Sequence, residues 1–178
     1  MTNKRKFSEG LLDEDTIFKI LKINIGQTIL DAGCGNGYMA KKFSKLTGKN
    51  GKIYALDPDK SMISILQKEV EGSNIIAFTG DITTQTVIKD DSVDLAYLST
   101  VFHIFTKDQT AGFNKEINRI LKTNSQLAII NVNKEITSFG PPVEMKSSPE
   151  ELREKISLSP TKFVKLGEHF YMQIFKKK

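Results

Sequence analysis

Apolar residues recur along the chain in two rhythms. Compact aliphatic runs occupy Thr28–Asp31, Lys52–Leu56, Ile75–Thr79, Val93–Leu98 and Leu127–Val132. Runs of this length, bounded by Gly, Asp or Asn, read as strands, and the unbroken Leu127–Val132 run predicts a central strand buried on both faces. Between the runs, apolar positions fall three and four residues apart, which predicts helices. Met39, Phe43 and Leu46 predict a helix over 38–46, and Met62, Ile65, Leu66 and Val70 predict an inward face on one ending near 70. Pro58 suits the first turn of that second helix, where its missing N–H costs nothing. Phe113, Ile117, Ile120 and Leu121 predict a helix through 121, opened by the capping box Thr106-Lys107-Asp108-Gln109.

The flanks are read in the same way. Leu12, Ile17, Phe18, Ile20 and Leu21 predict a short helix capped by Asp13 or Asp15. Ser148-Pro149-Glu150-Glu151 is a second capping box and opens another short helix. Thr161–Leu166 and Phe170–Phe175 read as strands joined through Gly167-Glu168-His169. The polar segment 82–92 has room for one helical turn near Thr84–Ile88, 134–147 reads as a loop with Gly140-Pro141-Pro142, and 1–10 as loose. Strands alternating with helices, closed by a hairpin, predict one domain over 1–178: a doubly wound, mostly parallel α/β sheet of seven strands with a C-terminal antiparallel hairpin strand.

Composition changes this picture little. The chain has 178 residues, 39% hydrophobic and 26% charged, with a formal net charge of +5. Its basic clusters, Lys4-Arg5-Lys6 and Lys176-Lys177-Lys178, are terminal, and no interior basic stripe alternates with aromatics, so a nucleic-acid partner is not expected. Cys34 is the only cysteine, which excludes an intrachain disulfide and a cysteine metal cluster; no metal site is expected. With no apolar run long enough to span a membrane and no cleavable leader, the expected compartment is the cytoplasm.

The chemistry concentrates in Ile29-Leu30-Asp31-Ala32-Gly33-Cys34-Gly35-Asn36-Gly37. A strand ends in an acid, and glycines follow at every second position before a helix begins. Glycine permits φ > 0 and lets a ligand lie against bare backbone. A strand, a glycine turn and a helix N-terminus form a nucleotide cradle. Gly35-Asn36-Gly37-Tyr38-Met39-Ala40 spells the dinucleotide pattern G-x-G-x-x-A, but four residues separate it from Leu30, the end of the apolar run. Ligands of such sheets bind at the carboxyl ends of the strands, where Asp31, Asp57, Asp81, Ser99 and Thr100 fall.

The string Asp31-x-Gly33-x-Gly35-x-Gly37, with Asp57 and Asp81 at the next two strand ends, resembles the class I S-adenosylmethionine-dependent methyltransferases. The likeness covers about 11–175 and is strongest over 28–37, 53–57 and 78–82. It extends to the small ubiquinone/menaquinone-biosynthesis type through His103 and Gly140-Pro141-Pro142. Lys122-Thr123-Asn124-Ser125 departs from the Pro-Gly-Gly turn usual there, although Asn can still adopt the left-handed conformation. The resemblance implies a Rossmann-like methyltransferase fold and S-adenosylmethionine as cofactor, with S-adenosylhomocysteine as product. It implies Asp31 and the Ser99 carbonyl at the methionine ammonium, and the turn Gly33, Cys34, Gly35, Gly37 along methionine and ribose. Asp57 would take the ribose hydroxyls, Asp81 and the Ile82 N–H the adenine edge, and Pro58 and Met62 the adenine face.

His103, four residues past Ser99, is the candidate catalytic residue, as a general base or as a shaper of the acceptor pocket; His169 is the second candidate. The absence of an Asn/Asp-Pro-Pro-Tyr/Phe motif after the fourth strand disfavours amino methylation of bases or glutamine, and a single cysteine argues against arsenite methylation. A small, partly apolar acceptor reached through 100–107 and 134–147 is the expectation. A cofactor-binding protein without turnover, and a nicotinamide-dependent oxidoreductase, are the competing readings.

Overall fold

The computed structural model describes residues 10–136 and 140–178. The loose stretch expected over 1–10 therefore falls, but for Gly10, outside the described residues, as do 137–139 of the loop after the fifth strand. The elements are α1 (Glu14–Leu21), β1 (Thr28–Ala32), α2 (Tyr38–Thr47), β2 (Lys52–Asp57), α3 (Lys60–Glu69), β3 (Ile75–Thr79), β4 (Val93–Ser99), α4 (Lys107–Ile120), β5 (Leu121–Val132), α5 (Pro149–Lys155), β6 (Ser159–Leu166) and β7 (Phe170–Lys176). Single 3₁₀ turns sit at Phe102–Ile104 and Val143–Met145.

The seven strands form one sheet in the order β3-β2-β1-β4-β5-β7-β6. The pairs β1–β2, β1–β4, β2–β3 and β4–β5 are parallel, and β7 runs antiparallel to both β5 and β6. Alternate strand residues feed two cores. Ile29, Ile53, Leu95 and Ile130 pack with Ile17, Phe43 and Leu66 of α1, α2 and α3 on one face. Leu30, Leu56, Leu98 and Ile129 pack with Phe113 and Ile117 of α4 and Leu152 of α5 on the other. Burial on both faces is why the strands read as unbroken apolar runs rather than alternating ones. The order reverses direction between β1 and β4, which puts a crevice at their carboxyl ends.

The caps follow the sequence. Asp13 accepts the Thr16 N–H at 3.0 Å, and both capping boxes form, Thr106 with Gln109 and Ser148 with Glu151. Asn124 takes φ +68°, the left-handed turn expected there, and β5 begins six residues earlier than expected because Asn124 N–H donates to Lys177 O and Lys177 N–H to Ser125 O.

Four expectations are corrected. Leu46 and Ile65 are 42% and 50% exposed, while Thr47 and Ile63 turn inward. Apolar residues at 62, 63, 65 and 66 surround much of the helix, and only one arc of it can meet the sheet. Met62 is only half-buried. Pro58 precedes the helix: Asp59 is the N-cap, its Oδ1 accepting the N–H groups of Ser61 (2.8 Å) and Met62 (3.2 Å). No helical turn forms over 84–88: the segment is irregular, and the Glu116 carboxylate accepts both the N–H and the hydroxyl of Thr86, at 2.9 and 2.7 Å, which a helical turn would use locally.

Candidate functional site

The glycine turn is drawn onto β2. Gly33 N–H and Cys34 N–H both donate to Leu56 O, at 2.7 and 3.0 Å. Gly33, Gly35 and Gly37 take φ +70°, +56° and +74°, a region that side chains disfavour. A Cβ on Gly33 would stand 2.5 Å from Val101 Cγ2, so this glycine lets the segment after β4 approach the turn. A Cβ on Gly37 would stand 2.4 Å from Leu66 Cδ1, which gives Gly37 a packing role against α3 and the N-cap of α2. Cys34 is buried beneath the turn.

Asp57 grips this turn. Its Oδ2 accepts Gly35 N–H at 2.8 Å and its Oδ1 accepts Asp59 N–H at 3.0 Å. One carboxylate thus ties the glycine turn to the start of α3. Each oxygen retains lone-pair capacity for a hydroxyl donor.

Asp31 is wholly buried and lies beside Tyr97 in the β1–β4 register. Burial foremost, then the negative charges of Asp31 and Glu14, push the Tyr97 phenol well above its ordinary range. Ser99 is 2% exposed, and its hydroxyl lies near that of Tyr97 without completing a hydrogen bond of ordinary geometry. Thr100 holds φ +55°, a strained conformation for a β-branched residue, and its hydroxyl donates to Ser99 O at 2.7 Å.

Two pockets meet above these strand ends. The smaller, about 110 Å³, is lined by Gly33, Pro58, Asp81 and Ile82 together with Val101, Ile104 and Phe105. Asp81 Oδ1 accepts the N–H and hydroxyl of Thr83 at 2.8 and 2.7 Å, while Oδ2 bonds to no described residue. Met62 does not line this pocket. The larger cleft, about 710 Å³, contains His103 and shares Ile104 and Phe105 with the smaller one. His103 sits in the Phe102–Ile104 turn, half-buried, and desolvation lowers its pKa, favouring neutral imidazole. His169 lies in the β6–β7 hairpin at the same end of the sheet, with its carbonyl accepting Asn133 N–H, but it lines neither pocket.

Part of the cleft comes from residues that the sequence did not single out: Asn114 on α4, Met145 and Ser147 ahead of α5, and Lys155 at its end. Asn114 and Lys155 belong to ordinary helix patterns, and Met145 and Ser147 to the loop before α5. Their convergence depends on α4 and α5 packing on the same face of the sheet.

The residues fit a cationic nucleoside. A glycine-rich turn, the buried Asp31 carboxylate, the Ser99 hydroxyl and Asp81 Oδ2 supply oxygen acceptors of the kind that an ammonium and an adenine amine require. Residues 29–124 match the family profile described as a methyltransferase domain, which spans more than half the chain. The chain belongs to that family, whose cofactor is S-adenosylmethionine.

A demethylmenaquinone methyltransferase of Lactobacillus johnsonii is 27% identical over 128 residues, 65% of this chain and 48% of that protein. A ubiquinone/menaquinone biosynthesis C-methyltransferase of Wigglesworthia glossinidia brevipalpis is 30% identical over 122 residues, 65% of this chain and 47% of that protein. The chain spans about half the length of these curated relatives. Among solved structures, a SAM-dependent methyltransferase from Aquifex aeolicus superposes with a TM-score of 0.82 at 24% identity, covering 96% of this chain and 93% of that one. Among the described residues no helix is long and apolar enough to cross a membrane.

Proposed function

We propose that the protein transfers a methyl group from S-adenosylmethionine to a small, partly apolar acceptor. The observation that carries the reading is the wall of Ile104 and Phe105 common to the two pockets, which sets the larger cleft directly beside the cofactor end of the sheet. The bound cofactor supplies an electrophilic methyl on a sulfonium. Asp31, Ser99, Asp57, Asp81, Pro58 and the Gly33–Gly37 turn hold it, and His103 faces the acceptor. Phe102 and Phe105 make this side of the cleft apolar, which favours the exclusion of water that an in-line displacement requires. Lowered basicity keeps His103 neutral near pH 7, so Nδ1 or Nε2 can take a proton from an acceptor that arrives protonated. The names of the quinone-biosynthesis relatives support a small, apolar acceptor class.

The test has two arms. Calorimetry should show S-adenosylhomocysteine binding without response to NAD; the reverse overturns the reading. Protein incubated with methyl-labelled S-adenosylmethionine and cell extract should yield a new labelled species below about 1 kDa, resolved from the cofactor by chromatography and missing when the protein is left out, a size matched to pockets of this class. New label confined to protein or nucleic acid overturns the acceptor class, and cofactor binding with no new labelled species overturns turnover.

A further inference from the structure

The polar groups of the larger cleft are unevenly spent. Thr106 and Thr110 are consumed in opening α4, where Thr106 Oγ1 accepts Gln109 N–H and the Thr110 hydroxyl donates to Thr106 O. Asn114 is consumed as well: its Nδ2 donates to Lys155 O at 2.8 Å and its Oδ1 accepts Ser157 N–H at 3.0 Å. What remains is a pair that lines the larger cleft and not the smaller pocket. Lys155 Nζ donates to Ser147 Oγ at 2.9 Å and has no carboxylate within ion-pair distance among the described residues. Ser147 is 2% exposed; its oxygen is occupied by Lys155, and its own hydroxyl proton meets no acceptor among the described residues. An ammonium and a hydroxyl, both with donors to give and side by side, form a site for an oxyanion.

The surrounding charge agrees. Lys107 and Lys155 line the cleft with one acid in the lining, Glu144; Glu151, whose charge also reaches Lys155, is already paired with Lys134, and burial favours neutral His103. The rest of the lining used by a ligand is apolar: Phe102, Ile104, Phe105 and Met145.

Building on the methyl-transfer reading, we infer that the acceptor is an apolar carboxylic acid. Its carboxylate binds Lys155 and Ser147, and its body lies on Phe102, Phe105 and Met145. The atom to be methylated is then held toward His103 and the shared wall. The two Nζ protons that Ser147 leaves over and the Ser147 hydroxyl proton, presented by two adjacent groups, match the two oxygens of a carboxylate.

The full-length protein is titrated calorimetrically with 1-naphthaleneacetic acid, its methyl ester and 1-naphthyl phosphate. The acid should bind at least about tenfold tighter than the ester, the size of a hydrogen bond to a charged group. Lys155→Met should reduce that preference to about twofold while leaving ester affinity in place, and Lys155→Arg should preserve it. Equal binding of acid and ester, a preference that survives Lys155→Met, or no heat from any probe at millimolar concentration overturns the inference. Phosphate binding tighter than the acid overturns the carboxylate assignment. The comparison on the parent protein stands even if a variant fails to fold, which circular dichroism melts report. S-adenosylhomocysteine is titrated separately: its failure to bind removes the methyl-transfer reading, whereas loss of acid preference with normal S-adenosylhomocysteine binding removes this inference alone.

Discussion

Replacing Asp57 by alanine separates two duties of one carboxylate. In the free protein its oxygens accept Gly35 N–H at 2.8 Å and Asp59 N–H at 3.0 Å. Losing both leaves two N–H groups that water reaches in part, because the site is half-buried. The cost to folding is about 1–2 kcal/mol, or about 2–8 °C in Tm for a chain of this size. The cost to binding is separate. A charged acceptor for two ribose hydroxyls contributes about 1.5–3 kcal/mol, so the Kd for S-adenosylhomocysteine should rise about 10- to 150-fold. Asp57→Asn keeps one acceptor oxygen and loses the charge. It should recover part of the Tm while remaining weak in binding. Differential scanning fluorimetry reads the first effect and isothermal titration calorimetry the second. A folded Asp57→Ala variant that binds S-adenosylhomocysteine like the parent refutes the ribose role. If its Tm has still fallen, Asp57 serves only as the latch between the glycine turn and α3.

Gly37→Ala should destabilise the fold by about 2–4 kcal/mol in urea unfolding, from a left-handed backbone at φ +74° and a Cβ driven into Leu66; the double variant with Leu66→Ala should lose less than the sum of the two single changes, and strict additivity would show that the two residues do not meet. His103→Ala should cut turnover about 100-fold or more if the imidazole takes a proton, with S-adenosylhomocysteine affinity within a few-fold of the parent, and unchanged turnover together with unchanged acceptor affinity would dismiss the residue. Burial lowers the folded-state pKa of His103, so its stabilisation is complete above the unfolded value of about 6.5 and is lost as pH falls through the folded value. Parent stability should accordingly drop on acidification below that point more steeply than that of His103→Gln, and identical slopes would refute the burial argument.

Much of this molecule is legible in one dimension. Strand runs, helical spacing and capping residues are local signals, and they placed the element order, both capping boxes and the left-handed Asn124. The acids at Asp31, Asp57 and Asp81 were equally legible, because a parallel sheet delivers every strand's carboxyl end to one edge. Packing between distant segments decided the rest. The arc of α3 that faces the sheet was set by competition among Met62, Ile63, Ile65 and Leu66, which periodicity alone does not resolve. Gly37 became a packing residue only because Leu66 arrives from another helix, and Asp57 a latch only because the turn folds back to meet it. The Lys155–Ser147 pair brackets α5, and it joins the larger cleft because Asn114 of α4 holds the end of α5 through Lys155 O and Ser157 N–H; nothing in the local sequence around Lys155 distinguishes it from a solvated helix end. Local propensity acts through neighbours in the chain, whereas a site is made of side chains that only the closed sheet and its two helical layers bring within a few ångströms.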